Sequence, residues 1–162
     1  MPASSQPVVR KIVSGAQTGA DRAALDVALE LGLETGGWVP HGRRAEDGRV
    51  PVRYSGLVET ETDAYEHRTA LNVRDADATL IVHYGPPSGG TALTMRLAIA
   101  SSKPCLAIDL DTVSSEDAAS QVREWLAAER IAVLNVAGPR ASKEPRIAAA
   151  VTGILHRALA AA

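Results

Sequence analysis

The stretch Ile12-Val13-Ser14-Gly15-Ala16-Gln17-Thr18-Gly19-Ala20-Asp21-Arg22 constrains the fold more than any other, because it carries an apolar strand through a glycine-bearing turn straight into a helix. Gly15 and Gly19 let the backbone pass close to a ligand. The first N–H groups of the helix that follows lack intrahelical partners and carry partial positive charge, so an anion fits there. The same residues also read as a plain capping box, with Thr18 accepting from the backbone and Asp21 reaching back to it. Their spacing matches neither G-x-G-x-x-G nor G-x-x-x-x-G-K-[ST].

The rest of the chain alternates strands with helices. Residues 8–13 read as the first strand, and Asp21 to Leu31 as a helix stopped by Gly32. Thr35 to Val39 reads as a short strand ended by Pro40. Asp63-Ala64-Tyr65-Glu66 has the pattern of a capping box opening a helix to about Asp75, and Ala78 to His83 is a near-continuous apolar strand. A second glycine loop, Tyr84 to Thr91, precedes a helix over Leu93 to Ala100. Then come a strand at Pro104 to Leu110, a helix from Ser114 or Ser115 to about Ala128, a strand at Ile131 to Val136 and an Ala-rich helix from Glu144 to Ala161. This alternation predicts an α/β fold: a three-layer, Rossmann-like, open and mostly parallel sheet of about five strands with helices on both faces. At 162 residues and 46% hydrophobic content, residues 1–162 are expected to form one ligand-binding domain with 1–7 as a flexible tail. With no Phe, three Tyr and two Trp, the core must be built from Ala, Val, Leu and Ile.

Composition narrows the function. A net charge of -2 gives no general attraction to nucleic acid or to an anionic membrane. The single cysteine, Cys105, excludes an intramolecular disulfide and fits a reducing compartment. His41, His67, His83 and His156 show no ligand spacing, so no protein-bound metal is expected. No apolar run is long enough to span a bilayer, and a cytoplasmic protein is expected. From His41 to Thr62 no periodicity is sustained, which predicts a functional loop or lid, locally basic through Arg43, Arg44, Arg49 and Arg53 against Glu46 and Asp47.

On the helix near residues 65–75, Tyr65, Thr69, Val73 and Ala76 make the expected buried stripe, and the same spacing places Arg68 and Asn72 along it. Inward-facing polar groups must either pair internally or point into a ligand site. In an open α/β sheet, ligands bind outside the carboxyl ends of the strands where strand order reverses. The loops at that edge are 14–21, 85–94, 109–111 and 135–139, and the two glycine loops could grip a phosphate from two sides. Neither Ser14 nor Ser88 lies in a G-x-S-x-G elbow, Asp75 and Asp77 read as a helix end and a turn, and Asp109 and Asp111 read as turn residues or, in the alternative, as groups reaching a ribose or a metal-bound phosphate. The residues alone therefore lead to a phosphate-bearing, nucleotide-like ligand and to no reaction.

Taken together, residues 14–22, Gly36-Gly37-Trp38, residues 42–48, Arg68-Thr69 with Asn72-Val73, and Ser88-Gly89-Gly90-Thr91 resemble the molybdenum cofactor carrier family, grouped with the circularly permuted branch of the SLOG superfamily. The resemblance implies a homo-oligomeric carrier or storage protein that holds the molybdenum cofactor, molybdopterin, by its phosphate. It implies contacts from Gly15, Gln17, Thr18, Gly19, Asp21 and Arg22 in the first loop and from Ser88, Gly89, Gly90 and Thr91 in the second. Arg68 and Asn72 join them from the stripe argument. The superfamily also resembles nucleoside-monophosphate phosphoribohydrolases, whose P-G-G-x-G-T loop is followed closely by a catalytic Glu. Here Leu93 and Thr94 stand in that place, leaving Glu46 or Asp47 as the acids another loop could supply. A sensor of nucleotide-derived ligands is the third reading.

Overall fold

Apolar runs too short to stand alone pair edge to edge into one twisted sheet in the computed structural model, which describes residues 9–62 and 64–160. The strands of the sheet are β1 (Lys11–Val13), β2 (Glu34–Val39), β5 (Leu57–Glu59), β6 (Ala78–His83), β7 (Cys105–Asp109) and β8 (Val133–Ala137). A two-stranded hairpin, β3 (Arg44–Ala45) with β4 (Gly48–Arg49), stands outside it. The helices are α1 (Ala20–Glu30), α2 (Tyr65–Asp75), α3 (Gly89–Ala100), α4 (Ser115–Ala128) and α5 (Ile147–Leu159). Helices α1, α5 and α4 pack side by side on one face of the sheet, and α2 with α3 on the other. The expected three-layer, Rossmann-like α/β architecture is present.

Strand order is β5-β2-β1-β8-β6-β7, with every pairing parallel. The sheet has six strands, not five. The extra one, β5, lies inside the expected loop 41–62, where Gly37, Trp38 and Val39 of β2 pair with Leu57, Val58 and Glu59. Strand β8 enters last and slots between β1 and β6. Read from β8, the chain steps outward through β1, β2 and β5 and then returns to add β6 and β7 on the other side, as in a doubly wound sheet opened at a different point. The crevice at the carboxyl edge thus lies between the ends of β8 and β6.

The core is aliphatic, with Ile12, Leu25, Leu80, Leu126, Leu134, Ile147, Ile154 and Leu155 fully buried. On α2 the buried residues are Thr69, Asn72 and Val73, and Ala76 is buried just beyond its end. Tyr65, expected in this stripe, is instead 40% exposed. The proposed capping box at Asp63 falls outside the described residues, and Ala64 stands at the N-cap without a side-chain hydrogen bond. Helix α3 begins at Gly89 rather than Leu93, so Gly89 and Gly90 form its first turn.

Asn72 has a structural partner. Its Oδ1 accepts from the Trp38 backbone N–H at 2.7 Å and its Nδ2 donates to the Trp38 carbonyl at 3.1 Å, stitching α2 to β2. The inward spacing was legible, but β2 runs where a ligand was expected. Asn72→Leu should cost about 2 kcal/mol by stranding two backbone groups, measurable as a lowered urea midpoint.

Candidate ligand-binding cleft

The first glycine loop is closed upon itself and upon its neighbours. Ser14 Oγ accepts from Ala16 N at 3.1 Å and donates to the Asp21 carbonyl at 3.0 Å. Asp21 Oδ2 accepts from Gln17 N at 3.2 Å, so Asp21 does reach back, but the N-cap is Gly19 and not Thr18. Thr18 Oγ1 donates to Glu46 and accepts from Ala141 N at 3.3 Å, while Glu46 also holds Ser142. Those hydroxyl donors hold the Glu46 carboxyl below its ordinary range. Arg22 grips Asp47 through both terminal nitrogens and donates from Nε to the Ala16 carbonyl. Glu46 and Asp47 therefore brace the loop, and neither lines the cleft.

The N-terminus of α1 is sealed by the protein itself. Ala20 N donates to the Pro139 carbonyl at 3.3 Å, and a Cβ on Gly19 would stand 2.5 Å from that oxygen. Gly19, at φ +85, is small to admit a backbone carbonyl rather than a phosphate. Gly15 is small for a different reason: a Cβ there would lie 1.6 Å from Arg68 Nη1. Thus Gly15, Thr18, Gly19 and Arg22 hold the loop together, whereas Gln17, Asp21 and Arg68 line a cleft of about 490 Å³ beside it. That volume lies in the range of small-molecule sites.

The second loop opens into that cleft. Ser88 is the N-cap of α3 without a side-chain cap, so the first-turn N–H groups of this twelve-residue helix meet the cavity. Ser88, Gly89, Gly90 and Thr91 all line it. A Cβ on Gly90 would meet nothing within 4 Å, whereas one on Gly89 would stand 2.9 Å from Lys143 Nζ. Arg96, Arg140 and Lys143 bring further positive charge. Thr94 donates its hydroxyl to the Gly90 carbonyl at 2.9 Å, holding the first turn in place.

The walls are aromatic and basic. The Tyr65 ring lies 4.9 Å from the Arg68 guanidinium and 5.5 Å from that of Arg140. Tyr84 carries the Arg146 guanidinium 3.9 Å above its ring, and Arg146 pairs with Glu144 at 2.8 Å, pulling the Glu144 carboxyl down to about 2. His83 is buried at the end of β6, its Nδ1 2.7 Å from the Gly85 carbonyl. Burial pushes Asp21 up to about 6, although Arg68, the Gln17 N–H, Arg22 and Arg140 all favour its charged form. Burial likewise draws Arg68 below the usual guanidinium range, against the pull of Asp21. Among the described residues, two buried side-chain polar atoms lack a partner, Gln17 Oε1 and Arg68 Nε, and both belong to residues of this cleft. Each such atom costs about 1–3 kcal/mol if left unpaired.

Sequence reasoning does not place Tyr65, Tyr84, His83, Arg96, Arg140 or Lys143 in the site. Arg140 and Lys143 follow β8 directly, and their place in the cleft depends on β8 lying between β1 and β6, which no local pattern encodes. The loop ending at Pro139 was on the right edge; its basic continuation was the available signal. Among the described residues no group of three or more His, Cys, Asp or Glu could hold a metal ion. No helix among them is long and apolar enough to cross a membrane.

A family model for the circularly permutated YpsA SLOG family matches residues 12–159. The chain belongs to that family. A solved structure from Syntrophus aciditrophicus SB, described as a candidate molybdenum carrier protein, is 52% identical, with a TM-score of 0.93 over 96% of this chain and 98% of that one. No curated protein matches the chain. Membership of the SLOG family and this homologue support a ligand-binding role.

Proposed function

We propose that the cleft binds a phosphate-bearing, nucleotide-like ligand and that the protein carries or stores the molybdenum cofactor, a pterin phosphate. The observation that carries this reading is the uncapped N-terminus of α3 opening into a cleft with Arg140, Lys143, Arg96 and Arg68 around it. Helix N–H groups and basic side chains together suit a phosphate, and the tyrosine rings of the walls suit a planar heterocycle. The solved relative described as a candidate molybdenum carrier protein supports the choice of cargo. The metal would be carried on the pterin. Helix α3 leaves Ile99 65% exposed and Leu93 and Leu97 half-buried beside the exposed Ala107 of edge strand β7, a surface that suits the proposed homo-oligomer. A cytoplasmic location belongs to the same proposal.

A thermal-shift series tests it. At a hundredfold excess over its dissociation constant the cofactor should add about 2.7 kcal/mol, or roughly 5–10 °C. Gly90→Asp should fold normally, since residue 90 has open space and a carboxylate suits a helix N-terminus, yet it should lose the shift because that carboxylate occupies the anion's place. A full shift retained in Gly90→Asp would remove α3 from the site. Incubation with AMP should release no free adenine above the uncatalysed rate, because Leu93 and Thr94 supply no carboxyl where the hydrolases carry their acid. Measurable adenine release with no cofactor shift would replace the carrier by an enzyme.

A further inference from the structure

The two unpartnered buried atoms belong to Gln17 and Arg68, which meet on either side of Asp21 at the cleft. Gln17 is 3% exposed, and its Nε2 donates to the Arg44 carbonyl at 2.9 Å, which fixes the amide so that Oε1 is an acceptor in want of a donor. Arg68 Nε is a donor in want of an acceptor. Asp21 joins them: its Oδ2 takes the Gln17 N–H at 3.2 Å and, with Arg68 Nη1, crowds the point where a Cβ of residue 15 would stand, at 3.1 and 1.6 Å. One corner of the cleft therefore offers two acceptors, Gln17 Oε1 and the Asp21 carboxylate, beside one donor, Arg68 Nε.

We propose that Gln17, Asp21 and Arg68 read the 2-amino-4-oxo edge shared by pterins and guanine. The ring N–H and the exocyclic amino group donate to Gln17 and Asp21, and the ring carbonyl accepts from Arg68. This inference rests on the proposed phosphate-bearing ligand and adds the chemistry of its ring. Both unpartnered atoms are closed off in the ligand-free protein, and a rotation of Arg68 about its flexible stem opens the corner so that a ligand edge can complete them. An adenine edge fits badly. It brings an amino group beside ring nitrogens that carry lone pairs, leaving one acceptor of the corner facing another acceptor. A site built around such groups rejects the analogue that leaves them unpaired far more strongly than an apolar pocket does.

The test is calorimetric titration of the intact protein with GMP, IMP, AMP and neopterin monophosphate. GMP and neopterin monophosphate should each bind at least about tenfold more tightly than AMP, with IMP, which lacks the amino group, in between. The tighter of the first two tells which source of the shared edge the cleft prefers. In Gln17→Leu the ratio of GMP to AMP affinity should fall toward one; if that variant does not fold, the wild-type series decides alone. AMP binding as tightly as GMP would overturn the edge assignment while leaving the phosphate site standing. Failure of all four to bind would overturn the phosphate reading, and this inference with it.

Discussion

Gly37→Ala will leave the protein unfolded or remove more than about 4 kcal/mol of stability, a loss far outside the ordinary range for one methyl group. Residue 37 sits inside β2 at φ +132, and a Cβ there would lie 2.1 Å from the Ser14 carbonyl oxygen and 2.9 Å from Ser14 N. Both obstacles are backbone of the segment leaving β1, which is itself held to β2 by Ser14 N donating to the Gly36 carbonyl. No rotamer relieves them. Gly36→Ala is the control, because its nearest obstacle is Lys11 Cε at 2.7 Å, part of a flexible side chain that can swing aside. Urea unfolding of the two variants should show a much larger loss at 37 than at 36. The reverse order would mean that β1 and β2 do not approach as described.

Asp21→Asn will stabilise the ligand-free protein at neutral pH. The folded carboxyl titrates at about 6, above the ordinary carboxylate value of the unfolded chain, so the folded state holds the extra proton between about pH 4 and 6. Stability is consequently greatest below that window, falls as pH rises through it, and stays lower above it. An amide mimics the protonated form and keeps an oxygen to accept from Gln17 N. At pH 7.5 the variant should exceed the wild type by about 1–3 kcal/mol and melt several degrees higher; at pH 4 the two should converge. Affinity for the ligand should fall in the same variant, since a charge buried at a cost in stability is kept where it serves binding. Melting curves at the two pH values check the sign, and a variant less stable at pH 7.5 would show that Asp21 is braced by Arg68 more strongly than burial opposes it.

Most of the architecture was legible because apolar period and glycine position act locally. The passage from β1 to α1 and the fully buried strand Ala78–His83 were readable in this way. Strand β5 was not, since three residues at a sheet edge with Val58 47% exposed show neither alternation nor a buried run. The glycines of the first loop were read as room for a ligand, yet Gly15 makes room for Arg68 and Gly19 for the Pro139 carbonyl. Spacing brought Arg68 and Asn72 to the same face, and only tertiary packing separates them, one into the cleft and the other onto Trp38. The basic run after Pro139 hints at Arg140 and Lys143, but their place in the cleft follows from where the last strand inserts.

Native mass spectrometry of the protein, purified without denaturant from a host that makes the molybdenum cofactor, tests the central claim most directly. The account predicts that the folded chain carries a small molecule with the mass of the pterin phosphate, and that Gly90→Asp from the same host flies without it. A chain that remains ligand-free while cofactor is abundant, or one that carries a molecule lacking phosphate, would contradict it.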